Sequence, residues 1–171
     1  MKKLTTALIL SVLCSLSFGQ TQKSQKPGCV EPPVLVKDLL VVTNNEVIAL
    51  DNMIYKEPGN PKYQLSAEFA QKLSASAALD QQGQPSYTPD FNIWVGSANT
   101  EIQSIETTKI KKYFETWLIY TNFSMTDGSN HEITLRYLLN RQNQCWELDD
   151  VISKKIGSLH MYLRNKMTEK N

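Results

Sequence analysis

The sequence has little of the residue types that build metal, phosphate and nucleophile sites. Its 171 residues include only 3 cysteines, 7 glycines and 2 histidines. His131 and His160 have no His or Cys neighbour at ligand spacing, which argues against a structural zinc site. The glycines form no G-x-x-x-x-G-K or G-x-G-x-x-G motif, and no serine lies in G-x-S-x-G. We therefore expect no metal, no cofactor and no catalytic constellation.

The N-terminus has the pattern of a secretory signal peptide. Lys2 and Lys3 form a basic start, and residues 7–16 form an apolar run. Ser17 and Gly19 are small residues at the −3 and −1 positions of a cleavage site. The apolar run is shorter than the roughly 20 residues that a membrane-spanning helix needs. We therefore expect cleavage after Gly19 and a location in the bacterial periplasm.

Two cysteines, Cys29 and Cys145, remain after such cleavage. In an oxidising compartment, two cysteines are expected to form a disulfide. Lipidation at Cys14 is the alternative fate of the N-terminus, and the bulky Leu13 before it disfavours that alternative. The expected organisation is a signal peptide over 1–19, a polar leader over 20–30 and a single domain over 31–171.

Charge is nearly balanced, with 18 Lys and Arg against 17 Asp and Glu. Removal of the expected signal peptide takes away two lysines, so the mature chain carries one net negative charge. Residues 109–112 contain a small basic run, but Glu106 and Glu115 flank it. The sequence therefore indicates neither a nucleic-acid partner nor an anionic membrane surface. Outside the N-terminus, no apolar run approaches the length of a membrane span.

The first half of the domain has helical periodicity. Apolar residues recur at helical spacing over residues 33–56, and Asn44-Asn45 predicts a break within that helix. The β-branched residues of this segment leave a strand interpretation open. Ser66 predicts the N-cap of a second helix that begins LSAEFAQKL.

The second half has the alternation of strands. We expect a strand over 103–109 and another over 113–125, whose inner face includes Tyr113 and Trp117. Residues 127–130 predict a hairpin turn, and alternating apolar residues over 133–139 give a further strand.

The stretch CWELDDVIS predicts a last strand followed by a helix. Trp146 and Leu148 should point to the core, with Glu147 and Asp149 facing outward. An amphipathic helix should then run from Ile152, with Asp150 or Ser153 supporting its N-terminus. The segregated order predicts an α+β fold, with N-terminal helices packed on a curved antiparallel sheet of about four strands and a closing C-terminal helix.

Three local patterns carry a resemblance to a known family. They are LSAEFAQKL followed by Asp90-Phe91, the strand ending CWELDDVIS, and the helix GSLHMYLRN. Over residues 33–165 they resemble small secreted bacterial proteins that are classed as a domain of unknown function. Proteins of that family look like the cone-shaped α+β fold of nuclear transport factor and ketosteroid isomerase. Where that family tends to a further aspartate and a proline, this chain has Asn92 and Ile93.

The resemblance implies no established activity. Similar periplasmic proteins include immunity proteins that neutralise cell-wall amidase toxins of type VI secretion. This likeness favours a non-catalytic protein-binding domain whose partner is another protein, such as a peptidoglycan hydrolase toxin. The alternative is a small-molecule-binding or isomerase-like enzyme that uses a cone-shaped cavity. A homodimer through the open sheet face and a monomer are both compatible with the sequence.

Aromatic side chains are typical anchors of protein interfaces, and outward-facing acids are candidates for contact with a basic partner. The candidates for partner binding are Tyr87, Asp90, Phe91, Trp94, Glu147 and Asp149. Phe114, Leu118 and Tyr120 lie on the strand face opposite Trp117, where a helix covers them or they form an exposed patch.

Overall fold

The structure, a computed structural model, describes residues 29–85, 87–89, 92 and 101–169. Over these residues the fold is α+β, with four α-helices and an open antiparallel sheet of five strands. The α+β prediction is confirmed, as is the order of helices, sheet and closing helix. The sheet has one strand more than expected. The expected signal peptide, with Cys14 and Gly19, lies outside the described residues.

The helices are α1 (Pro32–Leu39), α2 (Ile48–Asp51), α3 (Ala67–Gln81) and α4 (Leu159–Thr168). A π-helical turn over Asn52–Lys56 continues α2, and a short 3₁₀ turn spans Pro61–Tyr63. Two prolines open α1, where a missing N–H costs nothing. The predicted break is confirmed at Asn44 and Asn45, which have φ values of 52° and 63°. Asparagine tolerates this left-handed conformation better than most residues.

The strands are β1 (Ile102–Tyr113), β2 (Thr116–Met125), β3 (Asn130–Leu139), β4 (Trp146–Ser153) and β5 (Gly157–Ser158). They follow one another in space in the order of the sequence, each antiparallel to the next. The predicted turn between β2 and β3 is confirmed, with the Asp127 carboxylate accepting a hydrogen bond from Ser129 N. The expected strand over 113–125 begins later, because Tyr113 belongs to the end of β1.

The C-terminal helix starts seven residues later than its apolar spacing predicts. Ile152 and Ser153 belong to β4, and the chain then turns through Gly157 at φ 70°. Glycine populates positive φ readily, so the turn can bring β5 back beside the end of β4. The helix begins only at Leu159. Ile152 therefore occupies a strand, although its spacing matches a helix.

Two side chains support the N-terminus of α4. Ser158 is the N-cap, and its hydroxyl accepts a hydrogen bond from Met161 N at 3.0 Å. The Asp150 carboxylate accepts another from His160 N at 2.9 Å. The predicted support of this helix by Asp150 is thereby confirmed. Ser153 does not cap the helix, since its hydroxyl accepts from Ile156 N within the preceding turn.

The core lies between one face of the sheet and the helices. Ile119, Leu135 and Val151 are aligned across β2, β3 and β4 and are fully or almost fully buried. The buried side chains packed with them include Leu50, Met53, Phe69, Leu73, Leu159 and Leu163. Backbone hydrogen bonds attach the start of α3 to the sheet, since Ser66 N donates to Leu148 O and Leu148 N donates to Gln64 O.

A disulfide joins Cys29 to Cys145, as expected from the sequence. The two Cα atoms are 4.9 Å apart, which is within the usual range for a disulfide. The bond ties the segment before α1 to the start of β4 across a sequence separation of 116 residues. In the chain-entropy account, closing so long a loop stabilises the fold by about 5 kcal/mol at most.

Removal of the disulfide should lower the free energy of unfolding by about 2–5 kcal/mol. We expect Cys29→Ser, Cys145→Ser and the double variant to lose similar amounts, because each removes the same cross-link. Urea unfolding, followed by circular dichroism with and without reductant, measures the loss. A wild-type protein whose midpoint does not respond to reductant would contradict the assignment.

Candidate binding surface and buried ionic cluster

Charged side chains from four elements meet where α3 and α4 approach the sheet. The buried ionic cluster comprises Glu68 and Lys72 of α3, Arg136 of β3, Asp149 and Asp150 of β4, and His160 of α4. Four of the six are buried. Charged groups are rarely buried unless they are paired, so the contacts among them determine what this cluster can do.

His160 is held by a defined hydrogen-bond pattern. Its Nδ1 lies 2.9 Å from the carbonyl oxygen of Asp149, which can only accept, so Nδ1 carries the proton. Nε2 lies 2.6 Å from the Lys72 ammonium and 3.3 Å from the Glu68 carboxylate. The ring also stacks on Phe69, with centroids 5.7 Å apart. Both ring nitrogens and one ring face are therefore engaged.

Lys72 links the histidine to the surface. Its ammonium also contacts the carboxylate of Glu68, one turn earlier on α3. Hydrogen bonds from Lys72 and then from His160 lower the pKa of Glu68 to about 2. The Glu68 side chain is 66% exposed, so this end of the cluster reaches solvent.

A β-bulge brings the two aspartates into the cluster. Arg136 pairs with Asp150 and the next residue of β3 pairs with Leu148, so Asp149 has no partner across the strands. The Asp149 carboxylate accepts from Ser66 Oγ at 2.8 Å and from Arg136 at 2.7 Å. The Asp149 side chain is only 10% exposed. The expected outward orientation of Asp149 is therefore wrong, because the bulge breaks the alternation.

These contacts favour a structural role for the cluster. A lysine beside a histidine could act in proton transfer, but such a pair needs substrate within hydrogen-bond reach. Lys72 and His160 are buried, and their polar atoms bond to one another and to the protein. Within the described ranges, no group of three or more His, Cys, Asp or Glu residues is arranged to hold a metal ion.

The tip of the β1–β2 hairpin is the most unusual exposed feature of the described chain. Phe114 and Glu115 form a two-residue turn, and the Phe114 side chain is 100% exposed. Phe114 has φ 44°, whereas no positive φ is found at Glu115. The first central position of such a turn favours glycine. A phenylalanine there carries backbone strain and leaves a large apolar surface in water.

The rest of the tip contacts the end of β3 and the connection that follows it. Glu115 O accepts from Leu139 N at 2.9 Å, and the Glu115 carboxylate pairs with Arg141 at 2.9 Å. Tyr113 beside the tip is 50% exposed. Phe114 is therefore presented on a turn that neighbouring residues hold in place.

An aromatic pair supports the base of the same hairpin. Trp117 and Trp146 meet edge to face with ring centroids 6.0 Å apart. The Lys112 ammonium lies 4.7 Å from the Trp117 ring centroid and 3.7 Å from the Glu31 carboxylate. These contacts join β1, β2, β4 and the segment before α1, so the base of the hairpin is packed against β4 and the N-terminal segment.

The outer face of the hairpin is partly covered by its own side chains. Leu118 and Tyr120 are half-buried, and the Lys111 ammonium lies 5.5 Å from the Tyr120 ring centroid. Leu118 and Arg136 face one another across β2 and β3. Of the three residues expected together on this face, Phe114 alone is fully exposed.

A groove of about 350 Å³ lies between the loop before α3 and the start of β4. Apolar and amide side chains form most of its wall, including Pro58, Pro61, Gln64, Leu65, Asn143 and Trp146. Glu147 also lines the groove, and its side chain accepts from Asn140 at 2.7 Å. Glu147 was expected to face outward, and it is half-buried at this position.

The hairpin tip and the groove lie at the same end of the sheet. In an antiparallel sheet, the end of β1, the start of β2, the end of β3 and the start of β4 come together. Phe114 follows β1, residues 140–145 connect β3 to β4, and Glu147 lies near the start of β4. We call this end, with Phe114, residues 140–145 and Glu147, the tip surface.

Of the sequence candidates Tyr87, Asp90, Phe91 and Trp94, the structure describes Tyr87 alone. Tyr87 is half-buried and packs against the core. Asp90, Phe91 and Trp94 lie outside the described residues, so their roles stay predictions. Phe114 was recognised in the sequence only as a strand residue, because no turn signal marks its position.

Comparison with known proteins gives no family assignment. No protein-family model, no curated protein and no solved structure matches this chain. In the part of the chain that the structure describes, none of the helices has the length and apolar character that crossing a membrane requires.

Glu68 should make stability depend on pH in acid. Its folded pKa of about 2 is below the ordinary value of 4.5, so its stabilisation is complete above about pH 4.5 and is lost as pH falls toward 2. We expect wild type to be more stable than Glu68→Gln at pH 6, with the difference shrinking below pH 4.5. Urea unfolding of both proteins from pH 2 to 7 measures this, with Glu132→Gln as control for loss of an exposed acid. A constant difference at all pH values would contradict it.

Phe114→Gly should stabilise the domain by roughly 0.5–1 kcal/mol, because glycine removes the left-handed strain at a modest entropic cost. Phe114→Ala is the matched control, since alanine removes the ring and keeps the strained backbone. Chemical unfolding of the three proteins distinguishes the two effects. Equal stability of the glycine and alanine variants would show that the turn carries no strain.

Proposed function

We propose that this chain is a non-catalytic protein-binding domain of the bacterial cell envelope, and that the tip surface is its contact with the partner. Phe114 carries the proposal, because it is fully exposed and has a backbone conformation that glycine would adopt more easily. Nothing in the described packing of the domain requires an aromatic ring at this position. Strain and exposure that do not serve folding are typical of functional positions.

The energetics of the tip suit recognition. Burial of a phenylalanine side chain in a partner's pocket contributes about 2–3 kcal/mol. The anchored turn limits the conformational entropy that binding would cost, which favours affinity. Aromatic residues near the centre of an interface often supply much of the binding energy.

The most concrete form of the proposal is an immunity protein that inhibits a cell-wall amidase toxin of type VI secretion. The sequence supports it through the expected signal peptide and the resemblance to secreted proteins with a cone-shaped fold. The disulfide suits an oxidising compartment such as the periplasm. An exposed aromatic side chain at the tip of a hairpin is also the kind of element that can enter the concave active site of a hydrolase.

A small-molecule-binding or isomerase-like enzyme is the alternative, and the groove beside Glu147 is the observation that favours it. Its volume of about 350 Å³ lies in the range of small-ligand sites. The proposed cone would instead place a cavity over the inner face of the sheet. The described centre of that face is filled by Ile119, Leu135 and Val151. The contacts of the described residues therefore favour protein binding.

Inhibition of an amidase toxin tests the proposal directly. Mature protein is mixed with toxins encoded beside its gene, and release of peptides from purified peptidoglycan is measured. We expect inhibition by wild type and an inhibition constant at least thirtyfold weaker for Phe114→Ala, equivalent to about 2 kcal/mol.

Met161→Ala is the matched control, since Met161 is an exposed apolar residue on α4, away from the hairpin. It should inhibit as wild type does. Binding that is equally weakened by both variants would reject the tip surface as the contact. Absence of inhibition and of binding by wild type would reject the immunity function.

A further inference from the structure

The groove beside Glu147 has an unusual distribution of charge. Glu147 is the one ionisable side chain among its described lining residues, apart from the disulfide-bonded Cys145. The rest of the lining is apolar, amide or glycine. An isolated carboxylate at an apolar wall attracts a positively charged group, because its interaction is screened less there than in open solvent.

The carboxylate is also held in one orientation. Glu147 Oε1 accepts from Asn140 Nδ2 at 2.7 Å and from Asn143 Nδ2 at 3.5 Å. Among the described residues, none donates a hydrogen bond to Oε2 of the same side chain. One oxygen is thus fixed by the turn between β3 and β4, and the other remains to accept from a ligand.

The shape of the groove limits the size of the occupant. A volume of about 350 Å³ is near the lower end for small-ligand sites, which favours a single side chain over a large cofactor. A suitable occupant combines an aliphatic stem for Pro58, Pro61 and Leu65 with a cationic donor for Glu147. Arginine meets both needs, and its guanidinium is more weakly hydrated than an ammonium group.

We infer that the groove binds an arginine side chain of the protein partner, with Glu147 Oε2 as the acceptor for its guanidinium. The inference rests on the proposed protein-binding function and adds a second contact beside Phe114. The two contacts lie at the same end of the sheet, so a partner could engage both together. An aromatic anchor and a charge-assisted hydrogen bond would then supply affinity and orientation, respectively.

A capped amino acid tests the groove without the partner. N-acetyl-arginine N-methylamide is titrated into ¹⁵N-labelled protein, and the citrulline analogue serves as the uncharged control of nearly the same shape. We expect saturable shifts of the Trp146 indole and the Asn143 side-chain amide with the arginine probe. The dissociation constant should be in the millimolar range, which corresponds to a binding free energy on the order of −4 kcal/mol. Citrulline should bind at least tenfold more weakly.

Two variants test whether the arginine probe binds in the groove beside Glu147. Glu147→Gln keeps an acceptor for Asn140 and removes the charge, so arginine binding should fall at least tenfold while the spectrum stays that of a folded protein. Ala70→Leu enlarges a lining side chain and should also weaken binding. Equal binding of citrulline, unchanged binding by Glu147→Gln, or no saturable shift in wild type would overturn the inference.

The test of the arginine site can fail or succeed independently of the test of the proposed immunity function. Phe114→Ala should bind the arginine probe as wild type does, because Phe114 does not line the groove. Probe binding together with no inhibition of any amidase toxin would retain the arginine site and reject the immunity function. Toxin inhibition that depends on Phe114 but not on Glu147, with no probe binding, would reject only the arginine site.

Discussion

The packing of α3 and α4 on the sheet depends on a β-bulge in β4 that carries two aspartates. Asp149 binds the Ser66 hydroxyl that begins α3, and Asp150 binds the backbone at the beginning of α4. Both acids share Arg136. Buried ion pairs often add little net stability, because desolvation offsets their attraction, but an unpaired buried charge is costly. We therefore interpret the buried ionic cluster as fixing where α3 and α4 begin on the sheet, because other positions of these helices would leave buried charges unpaired.

Local patterns explain how much of this fold the sequence could predict. Alternation over residues 133–139 predicted β3, and Ser66 predicted the start of α3, because both signals lie within a few residues. The bulge at Asp149 has no such signal, and the side chain that Asp149 contacts there, Ser66, lies 83 residues away. Ile152 was assigned to a helix because it happens to precede Ile156 by four residues. In the structure, Ile152 pairs with Ser158 of β5 and therefore belongs to a strand.

The candidate site was less accessible from sequence, for a related reason. Glu147 was predicted as a contact from its position opposite two core residues, and it lines a groove. That groove forms only when the loop before α3 meets β4, so no local pattern could describe it. The turn at Phe114 and Glu115 lacks the glycine, asparagine or aspartate that usually marks a tight turn. Its exposure became visible only once β1 and β2 were paired.

The disulfide has a consequence for how the chain would bear force. Cys29 and Cys145 close a covalent ring that contains α1 to α3 and β1 to β3. Tension applied at the two termini passes through the sulfur bridge, so everything inside the ring is shielded from extension. Of the described helices and strands, β4, β5 and α4 lie on the loaded path. The tip of the β1–β2 hairpin therefore lies off the path of tension, even under a pull that separates α4 from the sheet.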